Sequence, residues 1–284
     1  MTKNLTTFVP SAPMGHDKLR KFAENETFSC LLQPSAGELL KDGYFALRDH
    51  AVKGRWNERF GREAPIVLEL GCGKGEYTTA LAESRPERNY IGVDIKGARL
   101  WKGAKYATLN NLSNVAFLRT RIEFITAFFA PGEVSEIWLT FSDPQPRSEN
   151  SRLTSPLFLE RYRSFLAPGG LIKLKTDSQF LYRYTQAVCR ANGLSVKEST
   201  EDLYSESGRF DPCLSQVRTF YEEMFRSQGY PIRYMSFTLD SAGPFVSPSD
   251  FDPLYWRSVE GYRTLFGRDT AETRRQKLAS GESE

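Results

Sequence analysis

The stretch LELGCGKGEY brings a glutamate, Glu69, close to three glycines, Gly71, Gly73 and Gly75, where an apolar run gives way to an amphipathic one. Glycines at such a junction allow a sharp turn and let the backbone approach a ligand closely. Dinucleotide-binding turns have the spacing G-x-G-x-x-G and place a pyrophosphate at the start of the following helix. Here the spacing is G-x-G-x-G, and the preceding carboxylate would repel a pyrophosphate. The stretch therefore favours a cationic ligand with an amino-acid end, and S-adenosylmethionine is such a ligand.

Asp94 supplies a second carboxylate, at the end of the next apolar run and 19 residues after Gly75. A carboxylate at the end of the second parallel strand can accept both ribose hydroxyls of an adenosine. The alternative is that the glycines only form a tight turn and that Asp94 only caps the next helix. The two features together, at this spacing, favour a nucleotide-type cofactor, with S-adenosylmethionine preferred over NAD.

A third carboxylate, Asp143, lies in the segment FSDPQPR, directly after the apolar run EIWLT. Aspartate followed by proline is common in turns, so this pair by itself favours a structural role. Its position after a strand, however, places Asp143 at the same edge of a parallel sheet as the glycine turn. At that edge the carboxylate could hold a substrate beside the cofactor.

The elements that would position these residues alternate regularly from residue 65 onward. Five short apolar runs are separated by segments in which apolar residues recur three and four positions apart, which predicts strands alternating with helices. The predicted strands are residues 65–71, 90–95, 115–120, 136–141 and 171–176. Two later runs, 194–200 and 231–239, would complete the sheet as a hairpin-like edge. This pattern predicts an α/β fold, with helices on both faces of a mostly parallel, seven-stranded sheet that carries an antiparallel edge strand.

The chain divides by composition into three parts. Residues 1–60 are mixed and begin with a proline-punctuated stretch, so we expect an N-terminal extension. Residues 61–240 carry the alternating pattern and are expected to form the domain that holds the candidate residues. Residues 241–284 end in the polar sequence RDTAETRRQKLASGESE, which predicts a C-terminal tail that is partly disordered.

The composition narrows the class of protein. The chain has 284 residues, with 38 Lys and Arg against 35 Asp and Glu, and its formal charge of +3 does not by itself indicate nucleic-acid binding. No apolar run reaches the roughly 18 residues of a membrane-spanning helix, and the first residues lack the apolar core of a secretion signal. Four scattered cysteines without C-x-x-C spacing, and only two histidines, argue against a zinc site. We expect a cytoplasmic protein with reduced thiols, no membrane segment and no metal.

Several segments resemble the bacterial tRNA (guanine-N(7))-methyltransferase family. They are, in chain order, GRWNERFG, LELGCGKGEYTTALA, YIGVDIKGA, PGEVSEIWLTFSDPQPR, RLTSPLFLERYRSFLAPGGLIKLKTD and TFYEEMFRSQGYPIRY, which together span about residues 54–239. The glycine turn is shared by many methyltransferases, whereas the FSDP-x-P, KTD and TFYEE segments together are highly specific. The resemblance implies a Rossmann-like, class I S-adenosylmethionine-dependent methyltransferase. It also implies transfer of a methyl group to N7 of a guanine in the variable loop of tRNA.

The resemblance implies roles for individual positions. Glu69, Asp94 and the glycine turn would contact the cofactor, and Asp143 would be the essential acid beside both cofactor and guanine. The residues implied in holding the substrate nucleotide are Arg147, Asp177, Thr219, Phe220, Tyr221 and Glu222. Guanine N7 carries an available lone pair at neutral pH, so its attack on a sulfonium methyl group needs no strong general base. Negative charge near the ring, which becomes cationic, would be the useful contribution of Asp143.

The chain departs from the family pattern in three places. Gln145 stands where many members have tryptophan. The segment RSENSRLT that follows is shorter and much less basic than usual. Arg121, with Glu123 two residues later, stands where the family has a third cofactor-binding acid, and we include Arg121 among the expected cofactor contacts.

Basic residues recur every three positions after Asp94. These four, Lys96, Arg99, Lys102 and Lys105, could contact tRNA phosphates or form an ordinary solvated helix face.

Two alternatives to the implied activity stay open. One is a methyltransferase of the same fold with another RNA or small-molecule substrate, and the other is a non-catalytic RNA-binding relative. An NAD-dependent oxidoreductase is disfavoured by the glycine spacing. Whether the protein is a monomer or a homodimer is left open.

Overall fold

Eight strands form the central sheet of the computed structural model, which describes residues 14–41, 46–260, 262–264 and 267–269. The strands are β1 (Leu31–Leu32), β2 (Ile66–Leu70), β3 (Asn89–Asp94), β4 (Val115–Arg119), β5 (Val134–Thr140), β6 (Leu166–Thr176), β7 (Val196–Thr200) and β8 (Arg233–Thr238). Their order across the sheet is β1-β4-β3-β2-β5-β6-β8-β7, and β8 runs antiparallel to both of its neighbours. A separate antiparallel pair consists of β9 (Tyr262–Thr264) and β10 (Gly267–Asp269).

The predicted α/β fold is confirmed, with a mostly parallel sheet and an antiparallel strand at one end. This antiparallel strand, β8, lies between β6 and β7, one position in from the edge. The sheet has one strand more than predicted because Leu31 and Leu32 pair in parallel with Phe117 and Leu118 of β4. Two residues are too few to give a periodic pattern, so the sequence does not reveal this strand. In addition, β6 begins five residues before its predicted start, at Leu166.

Ten helices surround the sheet in the described part of the chain. They are α1 (Met14–Asn25), α2 (Ala36–Leu39), α3 (Trp56–Phe60), α4 (Glu76–Ser84), α5 (Gly97–Leu109), α6 (Pro156–Arg163), α7 (Gln179–Ala191), α8 (Cys213–Gln216), α9 (Phe220–Ser227) and α10 (Pro253–Glu260). Three 3-10 turns cover Ile122–Ala127, Glu149–Ser151 and Ser207–Arg209. No helix within the described ranges is long and apolar enough to cross a membrane.

Apolar side chains fill the space on both faces of the sheet. The central strand β2, Ile66–Leu70, is buried along its whole length, as expected of a parallel strand covered on both sides. Its residue Leu68 joins the core formed with α3, α6 and α7, whereas its neighbour Val67 joins the core formed with α4 and α5. Because both faces are packed, the loops at the strand ends are mounted on a rigid support.

The chain on the N-terminal side of β2 also packs against this framework. Helix α1 lies on α5, where Asn25 Nδ2 donates a hydrogen bond to the carbonyl of Gly97 at 3.0 Å. Trp56 is fully buried, and its Nε1 donates to the carbonyl of Phe128 at 2.9 Å. The predicted domain boundaries stay a prediction, and the end of the predicted tail, residues 270–284, lies outside the described residues.

Candidate active site

The order of the parallel strands reverses between β2 and β5, and in an open α/β sheet such a reversal marks a crevice. From β2 the chain proceeds outward through β3 and β4, and it then returns to β5 on the other side of β2. Loops that leave such a reversal diverge, and open α/β sheets bind their ligands at the carboxyl ends of the strands there. The glycine turn follows β2 and Asp143 follows β5, so the residues predicted from the sequence flank this crevice.

The three glycines of the turn are required for two different reasons. Gly71, Gly73 and Gly75 have φ angles of 79°, 58° and 70°, in the left-handed region that favours glycine. A Cβ on Gly75 would lie 2.5 Å from a ring atom of Phe117, whereas among the described residues nothing comes within 4 Å of a Cβ on Gly71 or Gly73. Gly75 therefore allows α4 to pack closely on the sheet. The two earlier glycines face open space, where a ligand can approach the backbone.

Asp94 fixes the glycine turn from the end of the neighbouring strand β3. Its Oδ2 accepts the N–H of Gly73 at 3.0 Å, and its Oδ1 accepts the N–H of Lys96 at 2.7 Å. The side chain is largely buried, with 8% of its surface exposed. Each carboxylate oxygen can accept more than one hydrogen bond, so this structural role leaves capacity for a ligand hydroxyl.

Glu69 lies buried beneath the turn, near the end of β2. One of its carboxylate oxygens accepts the hydroxyl of Thr78 and the other accepts the hydroxyl of Thr140. Burial raises the pKa of Glu69 above its ordinary value, and the hydrogen bonds from Thr140 and Thr78 oppose that rise because they favour the ionised form. The two threonines are not predicted from the sequence, although Thr140 ends the strand that leads to Asp143.

Asp143 lies in a tight turn after β5 and is exposed. Its Oδ1 accepts the backbone N–H of Gln145 at 3.0 Å, so the structural role expected of an Asp-Pro turn is present. Phe141 and Gln145 have positive φ angles of 50° and 45°, which are uncommon outside glycine and cluster at functional loops. The hydroxyl of Ser142 is buried without a hydrogen-bond partner among the described residues. The turn thus combines local strain with polar groups at the crevice.

Arg152 holds this turn in place from below. Its Nε donates to the carbonyl of Gln145 at 3.2 Å and its Nη2 to the carbonyl of Pro146 at 3.3 Å. The guanidinium carbon lies 4.8 Å and 4.4 Å from the ring centroids of Phe180 and Tyr184 on α7. Because Arg152 is buried, its charge serves the loop and not an RNA surface. Sequence reasoning missed this role, since it depends on rings about thirty residues away.

Asp177 follows β6 at the same edge of the sheet and is mostly buried. Its carbonyl accepts the Nη1 of Arg233 at 3.1 Å, which ties this corner to the antiparallel strand β8. The next residue, Ser178, is the N-cap of α7, and its hydroxyl accepts the N–H of Leu181 at 3.0 Å. The corner that carries Asp177 is therefore fixed on both sides.

Thr219 and Glu222 form a reciprocal capping box at the start of α9. Glu222 is fully buried, and its Oε1 lies 2.7 Å from the Nζ of Lys175, which is also fully buried. The hydroxyl of Tyr204 donates to the same oxygen at 2.7 Å. Burial lowers the pKa of Lys175, and the carboxylate of Glu222 opposes that change. The buried pair anchors the TFYEE segment to the end of β6, and a substrate contact by Glu222 stays a prediction.

The remaining predicted positions lie at the surface or outside the described atoms. The side chains of Phe220 and Tyr221 lie outside the described part of the structure, so their role in binding the substrate stays a prediction. Arg147 is exposed after the Asp143 turn. Arg121 is exposed after β4, with its Nε 3.9 Å from the Oε2 of Glu123.

Four basic residues, here called the basic stripe, begin at the N-cap of α5 and divide into two pairs. Lys102 and Lys105 form ion pairs at 2.6 Å and 2.7 Å with carboxylates of α4 and α1. Lys96 and Arg99, nearer the crevice, are exposed. Ion pairing partly neutralises the far half of the stripe, so the near half is the stronger candidate for phosphate contacts.

No group of three or more His, Cys, Asp or Glu side chains in the described ranges could hold a metal ion. The strand order, the glycine turn after β2, the acids near the ends of β2 and β3 and the acid after β5 define a class I S-adenosylmethionine-dependent methyltransferase, with S-adenosylmethionine as its cofactor. The fold is similar to that of the 16S rRNA methyltransferase KamB, with a TM-score of 0.51, 13% identity and coverage of 72% of this chain and 97% of that one.

Sequence comparison narrows the class to a family. The family described as "Putative methyltransferase" matches residues 63–234. A tRNA (guanine-N(7)-)-methyltransferase of Bacteroides thetaiotaomicron is 46% identical over 246 residues, which are 84% of this chain and 94% of the relative. One of the same name from Porphyromonas gingivalis is 52% identical over 189 residues, covering 66% of this chain and 77% of the relative. The chain belongs to the bacterial tRNA (guanine-N(7))-methyltransferase family.

Proposed function

We propose that the protein transfers the methyl group of S-adenosylmethionine to N7 of a guanine in the variable loop of tRNA, forming 7-methylguanine. The observation that carries the proposal is the placement of Glu69, Asp94 and Asp143 around one crevice, at the ends of β2 and β3 and directly after β5. The names of the relatives support the substrate, since they are tRNA (guanine-N(7)-)-methyltransferases. We expect a protein with this substrate to act in the cytoplasm.

The residues on one side of the crevice fit the proposed cofactor. Gly71 and Gly73 leave open space above a turned backbone, and Asp94 and Glu69 provide carboxylates beside it. Asp94 would accept the ribose hydroxyls, and Glu69 would favour the cationic amino-acid end. Arg121, exposed after β4, would complete this side near the adenine. S-adenosylmethionine, when bound, supplies an electrophilic methyl group on a sulfonium.

Asp143 would contribute the negative charge that the reaction needs. Guanine N7 has a free lone pair at neutral pH, so the protein has no proton to remove before the methyl group moves. The ring becomes cationic as the bond to the methyl group forms, and a fixed carboxylate beside it stabilises that charge. The hydrogen bond from Gln145 and the clamp of Arg152 hold the carboxylate in one place, which avoids reorganisation during the reaction.

The other side of the crevice would hold the nucleotide. Asp177 and the Thr219–Glu222 segment lie at the end of β6, and we assign them to the guanosine and its neighbours. The exposed cations Lys96, Arg99 and Arg147 would contact backbone phosphates, which give affinity and salt dependence without reading sequence. The rings of Phe220 and Tyr221 would stack on an unstacked base.

A nucleoside analysis tests the proposed function. The full chain is incubated with labelled S-adenosylmethionine and tRNA lacking 7-methylguanine, and the digested tRNA is separated into nucleosides. We expect label in 7-methylguanosine, and little label when the tRNA already carries 7-methylguanine at that site. Label in a different nucleoside would support a methyltransferase of other specificity. No label, with cofactor binding shown by calorimetry, would support a non-catalytic relative.

A further inference from the structure

The segment of residues 245–260, here called the strap, runs along helix α7 from its last turn to its first. At one end, the backbone of Val246 exchanges two hydrogen bonds with the side chain of Asn192, N–H to Oδ1 at 2.8 Å and Nδ2 to C=O at 2.9 Å. At the other end, Glu260 contacts Ser178. Asn192 follows the last residue of α7 and Ser178 precedes the first, so the strap reaches the crevice from the far end of the helix.

Glu260 caps the end of α7 that lies on the crevice. Its side chain is buried, and its Oε2 accepts the hydroxyl of Ser178 at 3.1 Å and the backbone N–H of Phe180. The first N–H groups of a helix have no partner within the helix, and a negative charge is favourable there. Asp177 directly precedes this capped turn. A carboxylate of the strap therefore fixes the corner from which Asp177 projects.

Phe251 packs against the rings that hold the Asp143 turn. Its ring centroid lies 5.3 Å from that of Phe180, at 80°, and 5.3 Å from that of Tyr184, at 75°. The same two rings carry the guanidinium of Arg152, which donates to two carbonyls of the turn. Three successive contacts thus connect the strap with the loop of Asp143.

We propose that the strap is part of the substrate side of the active site, with Phe251 and Glu260 as positioning residues for Asp143 and Asp177, and this rests on the proposed function of those two acids. The strap lies within residues 241–284, for which the sequence predicts an appended C-terminal tail. A displacement of about 1 Å in a reacting group can lower a rate by about 10²-fold, so small movements of these two loops are sufficient to affect the rate.

Phe251→Ala tests the aromatic contact. We expect kcat to fall about 10-fold or more because the Arg152 clamp loosens, while the Kd for S-adenosylmethionine, measured by calorimetry, stays unchanged. Phe251→Leu, which keeps most of the packing, should recover most of kcat. Asp250→Ala is the matched control, since its ion pair with Arg190 at 2.8 Å belongs to the strap but is exposed. Equal losses in Phe251→Ala and Asp250→Ala would overturn the proposal.

Glu260→Ala tests the cap. We expect the KM for tRNA to rise about 10-fold, the size of losing a charged hydrogen bond, with the KM for S-adenosylmethionine unchanged. Glu260→Gln keeps an acceptor oxygen and should restore part of the loss. An equal rise in both KM values would indicate general loosening of the fold and would contradict a positioning role.

Hydrogen exchange separates the strap from the proposed function. Phe251→Ala should speed amide exchange in residues 145–152 and leave residues 71–75 unchanged, whatever the substrate is. If the wild-type protein forms no 7-methylguanosine, the proposed function fails and the exchange result still decides on the strap. Unchanged exchange in residues 145–152, or an equal increase along the whole chain, would overturn the strap proposal.

Discussion

The two sides of the crevice are built in different ways. On the cofactor side, most contacts join residues that are near in sequence. Thr78 reaches Glu69 across nine residues, and Gly73 reaches Asp94 across 21. The exception is Thr140, which contacts Glu69 from 71 residues away. This side is therefore largely a product of one βαβ unit, and it can be assembled from a short piece of chain.

On the substrate side, the local contacts of the Asp143 turn are joined by several contacts from distant segments. Arg233 reaches the carbonyl of Asp177 across 56 residues, and Glu260 reaches Ser178 across 82. The pairing of Lys175 with a carboxylate at the start of α9 is of the same kind. A common cofactor needs only a local motif, whereas the shape that fits a particular RNA is assembled from several parts of the chain.

The largest effect on stability is expected for a buried contact between segments that are far apart in sequence. Lys175→Met leaves the carboxylate of Glu222 buried without its cation, and breaking such a pair costs about 3–5 kcal/mol of stability. The free energy of unfolding, measured with urea, should fall by this amount. The double variant Lys175→Met/Glu222→Leu should recover much of the loss because it removes both charges.

A second lysine on the same strand provides the control. Lys173 pairs with Glu136 at 3.1 Å, farther from the crevice. Lys173→Met should lower stability without changing the KM for tRNA, whereas Lys175→Met should change both. If both variants raise the KM for tRNA equally, the substrate side does not depend on the buried pair and the contrast between the two sides is wrong.

The second largest effect separates chemistry from cofactor binding. Asp143→Asn removes the negative charge but keeps the acceptor oxygen that orders the turn through Gln145. We expect the rate of methyl transfer to fall by about 10² or more, the size of losing one fixed electrostatic contact, with cofactor affinity roughly unchanged. Single-turnover rates and calorimetry measure the two quantities. A near wild-type rate would contradict the role of Asp143.

The contrast between local and distant contacts also explains which features of the fold and the site can be predicted from the sequence. The glycine spacing, Glu69 and Asp94 are recognisable because the conformation and the ligand chemistry depend on neighbouring residues. The alternation of apolar runs predicts the parallel sheet because each strand carries its own pattern. The position of Asp143 follows from the strand before it, so it too could be predicted.

The supporting residues could not be predicted in the same way. Arg152 belongs to a segment whose sequence predicts a loop with few basic residues. Only its contacts with the rings of α7 show that Arg152 is buried and holds the loop. Lys175 lies among apolar residues in a strand, and it pairs with Glu222 because α9 packs against the end of that strand. Glu260 lies in a region of ordinary amphipathic pattern. None of these roles has a local signature.

The smallest effect is expected on the cofactor side, where a substitution in the glycine turn should change cofactor affinity only. Gly73→Ala forces a side chain into a left-handed conformation, with φ at 58°, at a strain of about 1–2 kcal/mol. Because this strain destabilises the conformation of the turn that binds the cofactor, the Kd for S-adenosylmethionine should rise about 10-fold. Gly61→Ala is the matched control, since Gly61 has φ at 66° and nothing described within 4 Å of its added Cβ, but ends α3 away from the turn.

The two glycine variants carry the same backbone strain, so any difference between them in cofactor affinity must come from the ligand site. Gly61→Ala should lower stability slightly and leave the Kd for S-adenosylmethionine unchanged. Gly73→Ala should raise that Kd and leave the exchange rates of residues 145–152 unchanged, because the Asp143 turn is held by α7 and the strap. If Gly73→Ala also loosened residues 145–152, the two sides of the crevice would be one coupled unit, and the separation between local and distant construction would not hold.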